Sequence, residues 1–417
     1  MPNNVVFLSI PGLRDQDLDQ TPRLAALATR GTKSRLVPSF PCVTWPVQAN
    51  MLTGKLPSEH GVIANGFYWR DEQKVEMWTA GNKVISAPQI WDRLHELDNE
   101  LTSAVWFPML SKRCGADFVC MPAPVHNPDG SESLWCYTKP TELYGDLLDE
   151  LGHFPLQHFW GPLANIKSTT WIADSAIVAA RQFQPRFFYL YLPHLDYAGQ
   201  KTGQAALGDD NIVWMAASEY VITPVDHVTY PNRLLRDAGL LQVRLEDDGE
   251  HLDLETSDAW AMVDHQFSHV FVKDADATVI QRVANLFRGT NGISEVLIGD
   301  QQAKYSMDHE RSGDVLLIST TNSWQAYYWW MHDDNAPAFA RTVDIHQKPG
   351  YDPVEMHIDM KTKSTPLDAT LVKGSHGAPV ESESQQGVLL CSKPGVVSAD
   401  VVRDVEIADL VMNEFGA

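Results

Sequence analysis

The sequence predicts an α/β fold: a mostly parallel central sheet with helices on both faces and a small α+β cap or insertion. Three observations carry that expectation. Apolar runs of strand length at residues 5–10, 186–192 and 211–217 lack the alternation of a half-solvated strand, so they read as buried parallel strands. Segments with helical spacing lie between them, and this alternation is the signature of a parallel sheet crossed by helices. A chain of 417 residues is also long enough for one large α/β domain or two smaller ones.

Taken in order, the first run ends at Pro11-Gly12. Residues 21–31 form a helix, with Thr21 as cap, Pro22 in the first turn and Gly31 at the end. Residues 47–52 form another, closed by Thr53-Gly54, and residues 89–97 and 171–182 have helical spacing. A helix over 231–240 is closed by Gly239. Residues 241–334 change character: short alternating runs flank a helix at 277–287, which predicts a cap continuous with the main sheet at its end. Trp324, Tyr327, Tyr328, Trp329 and Trp330 read as core or interface packing rather than as a stacking platform. The expected organisation is a core over 1–240, a cap over 241–334 and a return to the core over 335–417.

A formal net charge of −22 argues against nucleic acid or an anionic membrane as partner. It also repels an anionic substrate, so a local cation has to offset it. The five cysteines show no paired metal-ligand spacing and read as free thiols in a reducing compartment. With no leader-like segment and no apolar stretch of membrane length, the expectation is a cytoplasmic protein.

The chemistry concentrates at Pro41-Cys42-Val43-Thr44-Trp45-Pro46 and at Ser58-Glu59-His60-Gly61-Val62-Ile63-Ala64-Asn65-Gly66. Thr44 stands at a helix start, where unpaired N–H groups and the positive dipole end favour an anion. Asn65 adds a neutral donor. A hydroxyl, a helix start and an amide together suggest phosphate or sulfate ester chemistry with Thr44 as nucleophile. The plainer alternative is that Thr44 is an ordinary N-cap.

On Phe40, Pro41, Thr44, Pro46, Glu59, His60, Gly61, Val62 and Asn65, the segment resembles the nucleophile region of the alkaline phosphatase superfamily, specifically its nucleotide pyrophosphatase/phosphodiesterase branch. The resemblance implies an alkaline-phosphatase-like sandwich, a Thr nucleophile, a phosphate-binding Asn and two metal sites. It extends to Asp196, matching the Asp of the family's Asp-x-x-Gly-His, and to Ser218-Glu219-Tyr220, where the family has Ser-Asp-His. It ends at Gly374-Ser375-His376-Gly377, matching Gly-x-His-Gly. Gln200 and Tyr220 replace imidazoles, and Pro11 replaces the first-strand Asp.

The implied ligand set is therefore Asp196, Glu219, His376, Gln200 and Tyr220. Gln200 offers only a neutral amide oxygen, and Tyr220 would have to ionise from a reference pKa of about 10. One divalent ion (zinc, manganese or magnesium) is expected rather than two. Lys373 is a candidate anion contact. Lys348 is a second such candidate, and His194, His265, His269, His309 and His346 are candidates to fill in for missing groups, with Asp264-His265 recreating an Asp-His pair. Only about ten residues, 201–210, separate the Asp196 motif from the next strand, fewer than a helical crossover needs. A partner subunit filling that place, or a homo-oligomer, is one reading. The expected function is metal-assisted hydrolysis of a small-molecule phosphate ester, as a phosphodiesterase or nucleotide pyrophosphatase. The alternative is a degenerate relative that binds a phosphorylated ligand or serves as a scaffold subunit.

Overall fold

The computed structural model describes residues 4–126, 132–194 and 212–417. In chain order the principal strands are β1 (Asn4–Ser9), β2 (Thr32–Val37), β3 (Ser103–Trp106), β4 (Phe118–Pro122), β5 (Cys136–Lys139), β6 (Phe187–Tyr191) and β7 (Ile212–Ala217). They continue with β8 (Ala259–Asp264), β9 (Phe267–Val272), β10 (Ile293–Ile298), β11 (Val315–Ser319), β12 (Gly387–Cys391) and β13 (Val401–Arg403). Among the described residues the main sheet runs β13-β2-β12-β7-β1-β6-β3-β4-β5. Only β12 and β5 are antiparallel to their neighbours, so the sheet is mostly parallel as the apolar runs imply.

The faces of β1 show why helices cover both sides. Val5 and Phe7 enter one apolar cluster with residues of α2 (Thr44–Thr53), α3 (Ile90–Leu97) and the C-terminal helix Ile407–Asn413. Val6 and Leu8 pack into the other, with residues of α1 (Pro22–Arg30) and of the helices Leu143–Leu151 and Ile166–Phe183. Successive side chains of a strand point to opposite faces, and an apolar residue at every position demands two covers. The helix expected over 171–182 begins earlier, at Ile166, because the Asn165 side chain caps it by accepting from Lys167 N at 3.0 Å.

Two expectations are corrected. The cap is not continuous with the main sheet: β8, β9, β11 and β10 form a separate antiparallel four-stranded sheet in that order, covered by the helix Ala277–Phe287. Strand pairing is a non-local choice that the 241–334 segment does not encode in its own alternation. The helix expected over 47–52 begins instead at Thr44, so Val43 rather than Thr44 is the capping residue. Pro46 is compatible with this because a proline in the first turn gives up an N–H that has no intrahelical partner.

The aromatic run packs as core. Trp324, Tyr327, Tyr328, Trp329 and Trp330 are all buried against the second sheet, with Trp330 stacked on Tyr328 at 4.4 Å between centroids. Trp330→Ala is expected to lower stability by about 3–5 kcal/mol through lost burial and the cavity left behind. Urea denaturation measures it; a loss below about 1 kcal/mol would show that the site collapses or was never packed.

Candidate active site

The site forms where three segments meet beyond the C-terminal ends of β1 and β7, the end of a parallel sheet where ligands gather. These are the turn into α2, the Glu219-Tyr220 segment after β7, and His376-Gly377, which is held against the hairpin of the second sheet. Helix α2 is anchored by buried polar bonds. Asn50 Nδ2 donates to Asp404 Oδ2 at 2.7 Å, and Asp404 also accepts from Ser39 N and Oγ. His60 joins this frame: its Nδ1 accepts from Val62 N at 3.0 Å, so Nε2 donates to Asn50 Oδ1 at 2.8 Å. Burial holds His60 neutral, with its pKa lowered to about 3.

Thr44 is the first residue of α2, and its hydroxyl lies 3.1 Å from the Tyr220 hydroxyl. Of the first helical amides, Trp45 N–H donates to Asn65 Oδ1 at 3.0 Å and Pro46 has none. Among the described residues the Thr44 N–H therefore remains for a ligand. Asn65 is pinned at both ends of its amide. Its Oδ1 takes Trp45, its Nδ2 donates to Asp264 Oδ1 at 3.1 Å, and its backbone N–H donates to Asp264 Oδ2 at 2.8 Å. One Nδ2 hydrogen is left over, since an amide nitrogen carries two.

His376 Nδ1 donates to the Cys42 carbonyl at 2.8 Å, which leaves the lone pair on Nε2. This is the tautomer that a metal ligand or a base requires. Its ring stacks on Tyr220 at 3.6 Å, with 5° between planes. On the other side lies His265, 3.9 Å from His376 and stacked on Tyr351 at 3.6 Å. His265 Nδ1 donates to Asp264 Oδ1 at 2.5 Å. Burial pushes both imidazoles well below their ordinary pKa, so both are neutral at pH 7. Burial raises the Asp264 carboxyl to about 6, with the Asn65 donors opposing that rise.

Glu219 faces the interior. Its Oε1 accepts from Ser9 Oγ at 2.6 Å and from Gln48 Nε2 at 2.8 Å, while Oε2 has no hydrogen-bond partner in this fully buried position. Burial raises its pKa to about 8. Glu219 Oε1 is already committed to Ser9 and Gln48, and Tyr220 brings a phenol to Thr44 where the family has an imidazole, so the family's two-ion donor set is not reproduced around Glu219 and Tyr220. Pro11 supplies no donor there. Of the other residues of the implied ligand set, His376 presents a suitable Nε2, and Asp196 and Gln200 lie outside the described residues. No Lys or Arg among the described residues bonds to Thr44, Asn65, Asp264, His265 or His376, while Asp264 carries negative charge at neutral pH.

Other candidates lie elsewhere. Lys373 is exposed and donates to the Thr370 carbonyl at 2.7 Å, so it is not brought to the site. Lys348 is buried between Asp352 and Glu355, and is a structural ion pair rather than an anion contact. His194 is held by Ser168 and Thr169 on the helix Ile166–Phe183, and His269 by Ile63 O and Gly313 N. Among the described residues the one three-residue group with metal-ligand spacing, Glu246, Asp248 and His251, lies on the hairpin Gln242–Glu246/Gly249–Asp253 and not at Thr44. Residues 201–210, the short connection, also lie outside the described residues, and no described helix is long and apolar enough to cross a membrane.

Sequence reasoning missed the interior partners Ser9 and Gln48 of Glu219, and Asp264 as the partner of Asn65. The Asp-His pair between two apolar runs was the available signal for the latter; a contact spanning 199 positions was not.

Comparison with known proteins places this geometry in context. Residues 5–214 match the family model of type I phosphodiesterases / nucleotide pyrophosphatases. A 70-residue stretch is 40% identical to human ectonucleotide pyrophosphatase/phosphodiesterase family member 7, covering 16% of this chain and 15% of that protein. A 69-residue stretch is 36% identical to an uncharacterized pyrophosphatase/phosphodiesterase of Schizosaccharomyces pombe, covering 16% and 14%. The matched stretches thus span about a seventh of those relatives. Across the whole chain the fold is similar to phosphonoacetate hydrolase from Sinorhizobium meliloti, with TM-score 0.62, 15% identity, and 99% and 96% of the two chains covered. It is also similar to murine ectonucleotide pyrophosphatase / phosphodiesterase 5, with TM-score 0.58, 12% identity, and 99% and 95% coverage. The fold is therefore the alkaline-phosphatase-like one.

Proposed function

Because the chain belongs to the type I phosphodiesterase / nucleotide pyrophosphatase family, we propose that it hydrolyses a small-molecule phosphate ester with Thr44 as nucleophile. The observation that carries this reading is the Thr44 hydroxyl at the first residue of a wholly buried helix, beside a free first-turn N–H and a pinned Asn65 amide. Thr44 Oγ forms the bond to phosphorus as the ester P–O bond breaks, its proton leaving with the departing alcohol, and water then cleaves the phosphothreonine to release phosphate or a phosphomonoester and restore the hydroxyl. The Thr44 N–H and the remaining Asn65 Nδ2 hydrogen hold the non-bridging oxygens, where negative charge builds in the transition state. Tyr220 fixes the Thr44 side chain by its hydroxyl contact. His376, with Asp196 and Gln200, would hold a single divalent ion, which would supply positive charge against the phosphoryl group. Glu219 and Tyr220 are not assigned to an ion.

A second reading is favoured by the neutral, inward-facing Glu219 and by Tyr220 beside the nucleophile: a relative that binds a phosphorylated ligand without turning it over. One experiment decides between them. The purified protein is analysed for bound metal, then assayed on nitrophenyl phosphodiesters and phosphomonoesters with added zinc, manganese or magnesium. Turnover that requires Thr44 and is lost on chelation, with about one ion per chain, is expected. Phosphate binding without turnover under any metal would favour the second reading.

A further inference from the structure

We propose that Asp264, presented by the strained turn at His265, is the positioning residue of the phosphoryl site. The inference deepens the reading of Thr44 and Asn65 above and rests on it for the chemistry. Strands β8 and β9 pair until Asp264 faces Phe267, leaving His265 and Gln266 as a two-residue turn. His265 sits at φ 59°, the first central position of a tight hairpin, where glycine is normally required. A non-glycine residue in that conformation is strained and persists only where its surroundings over-determine it.

The surroundings do so. The His265 carbonyl accepts from Gln325 N at 2.9 Å, and Gln266 N donates to the His376 carbonyl at 3.1 Å. Gln266 Nε2 is fixed by the carbonyls of Thr321 and Ser323. A glycine would make this turn without strain, so backbone geometry alone does not call for histidine. What the imidazole adds is one bond, Nδ1–H to Asp264 Oδ1, and a ring packed between Tyr351 and His376.

Asp264 is fully buried and accepts three hydrogen bonds, from Asn65 N, Asn65 Nδ2 and His265 Nδ1. Two of the three go to Asn65. With Trp45 N–H on its oxygen and Asp264 on its nitrogen, the Asn65 amide has one orientation only. Flipped, it would face an N–H with its own N–H groups and a carboxylate with its carbonyl. The second Nδ2 hydrogen is thereby directed by Asp264 from another sheet, some 199 positions away in sequence, and such fixing of a donor is what an oxyanion site requires. His265 in turn holds the carboxylate that holds Asn65.

The test uses the full chain with Asp264→Asn, His265→Gly and His265→Asn. The readouts are melting temperature, kcat and KM on the nitrophenyl ester that wild type turns over best, and inorganic phosphate affinity by calorimetry. Asp264→Asn is expected to lower kcat on the order of a hundredfold and phosphate affinity about tenfold. His265→Gly is expected to keep or raise the melting temperature, since it relieves the turn, while lowering kcat about tenfold. His265→Asn, which tolerates the positive φ and can still donate to Asp264, recovers part of that loss. A merely structural role would give the opposite pairing, with a stabilised His265→Gly of full activity. Variants within twofold of wild type in kcat, KM and phosphate affinity would overturn the inference. Failure of the Thr44 reading is seen separately, as turnover that survives Thr44→Ala. If wild type turns over no ester, phosphate affinity alone decides: loss in Asp264→Asn supports the inference, and no difference or no binding overturns it.

Discussion

Thr44→Ala is expected to reduce phosphodiester turnover by at least on the order of a thousandfold, since removing a nucleophile takes away the covalent route. The variant should remain folded. The Thr44 hydroxyl makes one side-chain hydrogen bond, to Tyr220, whose loss costs about 1 kcal/mol. Thr44→Ser keeps the attacking oxygen but loses the methyl that restricts its rotamer, and should fall between the two. The measurement is initial rate under saturating metal, together with the melting temperature of each variant. An alanine variant within tenfold of wild type would remove Thr44 from the chemistry and turn the hydroxyl back into a structural group.

Stability should fall as pH rises from about 5 to 8, and Glu219→Gln should remove most of that slope. Glu219 has an ordinary pKa of 4.5, and burial raises it to about 8 in the folded chain. Between those values the folded state holds the extra proton and the unfolded state has lost it, so each unit of pH costs the folded state stability. The neutral amide introduced by Glu219→Gln avoids that cost and can still accept from Ser9 and Gln48. The variant should therefore be more stable than wild type at pH 8 by about 3–5 kcal/mol, and close to it at pH 5. Urea denaturation at pH 5, 6.5 and 8 follows the difference. Wild-type stability that stays flat over this range would contradict the buried neutral carboxyl. A slope abolished by added zinc or manganese would instead put Glu219 on the ion.

The two predictions separate what the family pattern and the packing each say about one strand end. By resemblance, Glu219 and Tyr220 occupy ligand positions. In the fold, their side chains diverge: Tyr220 reaches the Thr44 hydroxyl and stacks on His376, while Glu219 turns into the interior to Ser9 and Gln48. Adjacent residues at a strand end point to opposite sides, so adjacency in sequence does not make a shared site.

Much was legible in the residues themselves. The apolar run at 5–10 identified β1 because a strand buried on both faces leaves no polar alternation, and the helix expected over 277–287 forms with those bounds, capped in the structure by Asp276. The helix start at Thr44 was misplaced by three residues because Thr-Trp-Pro has weak helical preference. The Asn65 bond to Trp45 and the Asn50 bond to Asp404 hold it there regardless. The separate second sheet was missed because pairing partners are chosen across the chain.

Sequence alone determined the α/β class, the family and the turn that carries Thr44, since these depend on local apolar patterning and on a contiguous motif. The tertiary structure decided which side chains share a site. It brought Asp264 to Asn65 and His265 to His376, it withdrew Glu219 into the interior, and it left Lys373 in solvent. Those outcomes depend on how two sheets and a helix end come together, and burial then sets the charge of every group enclosed there.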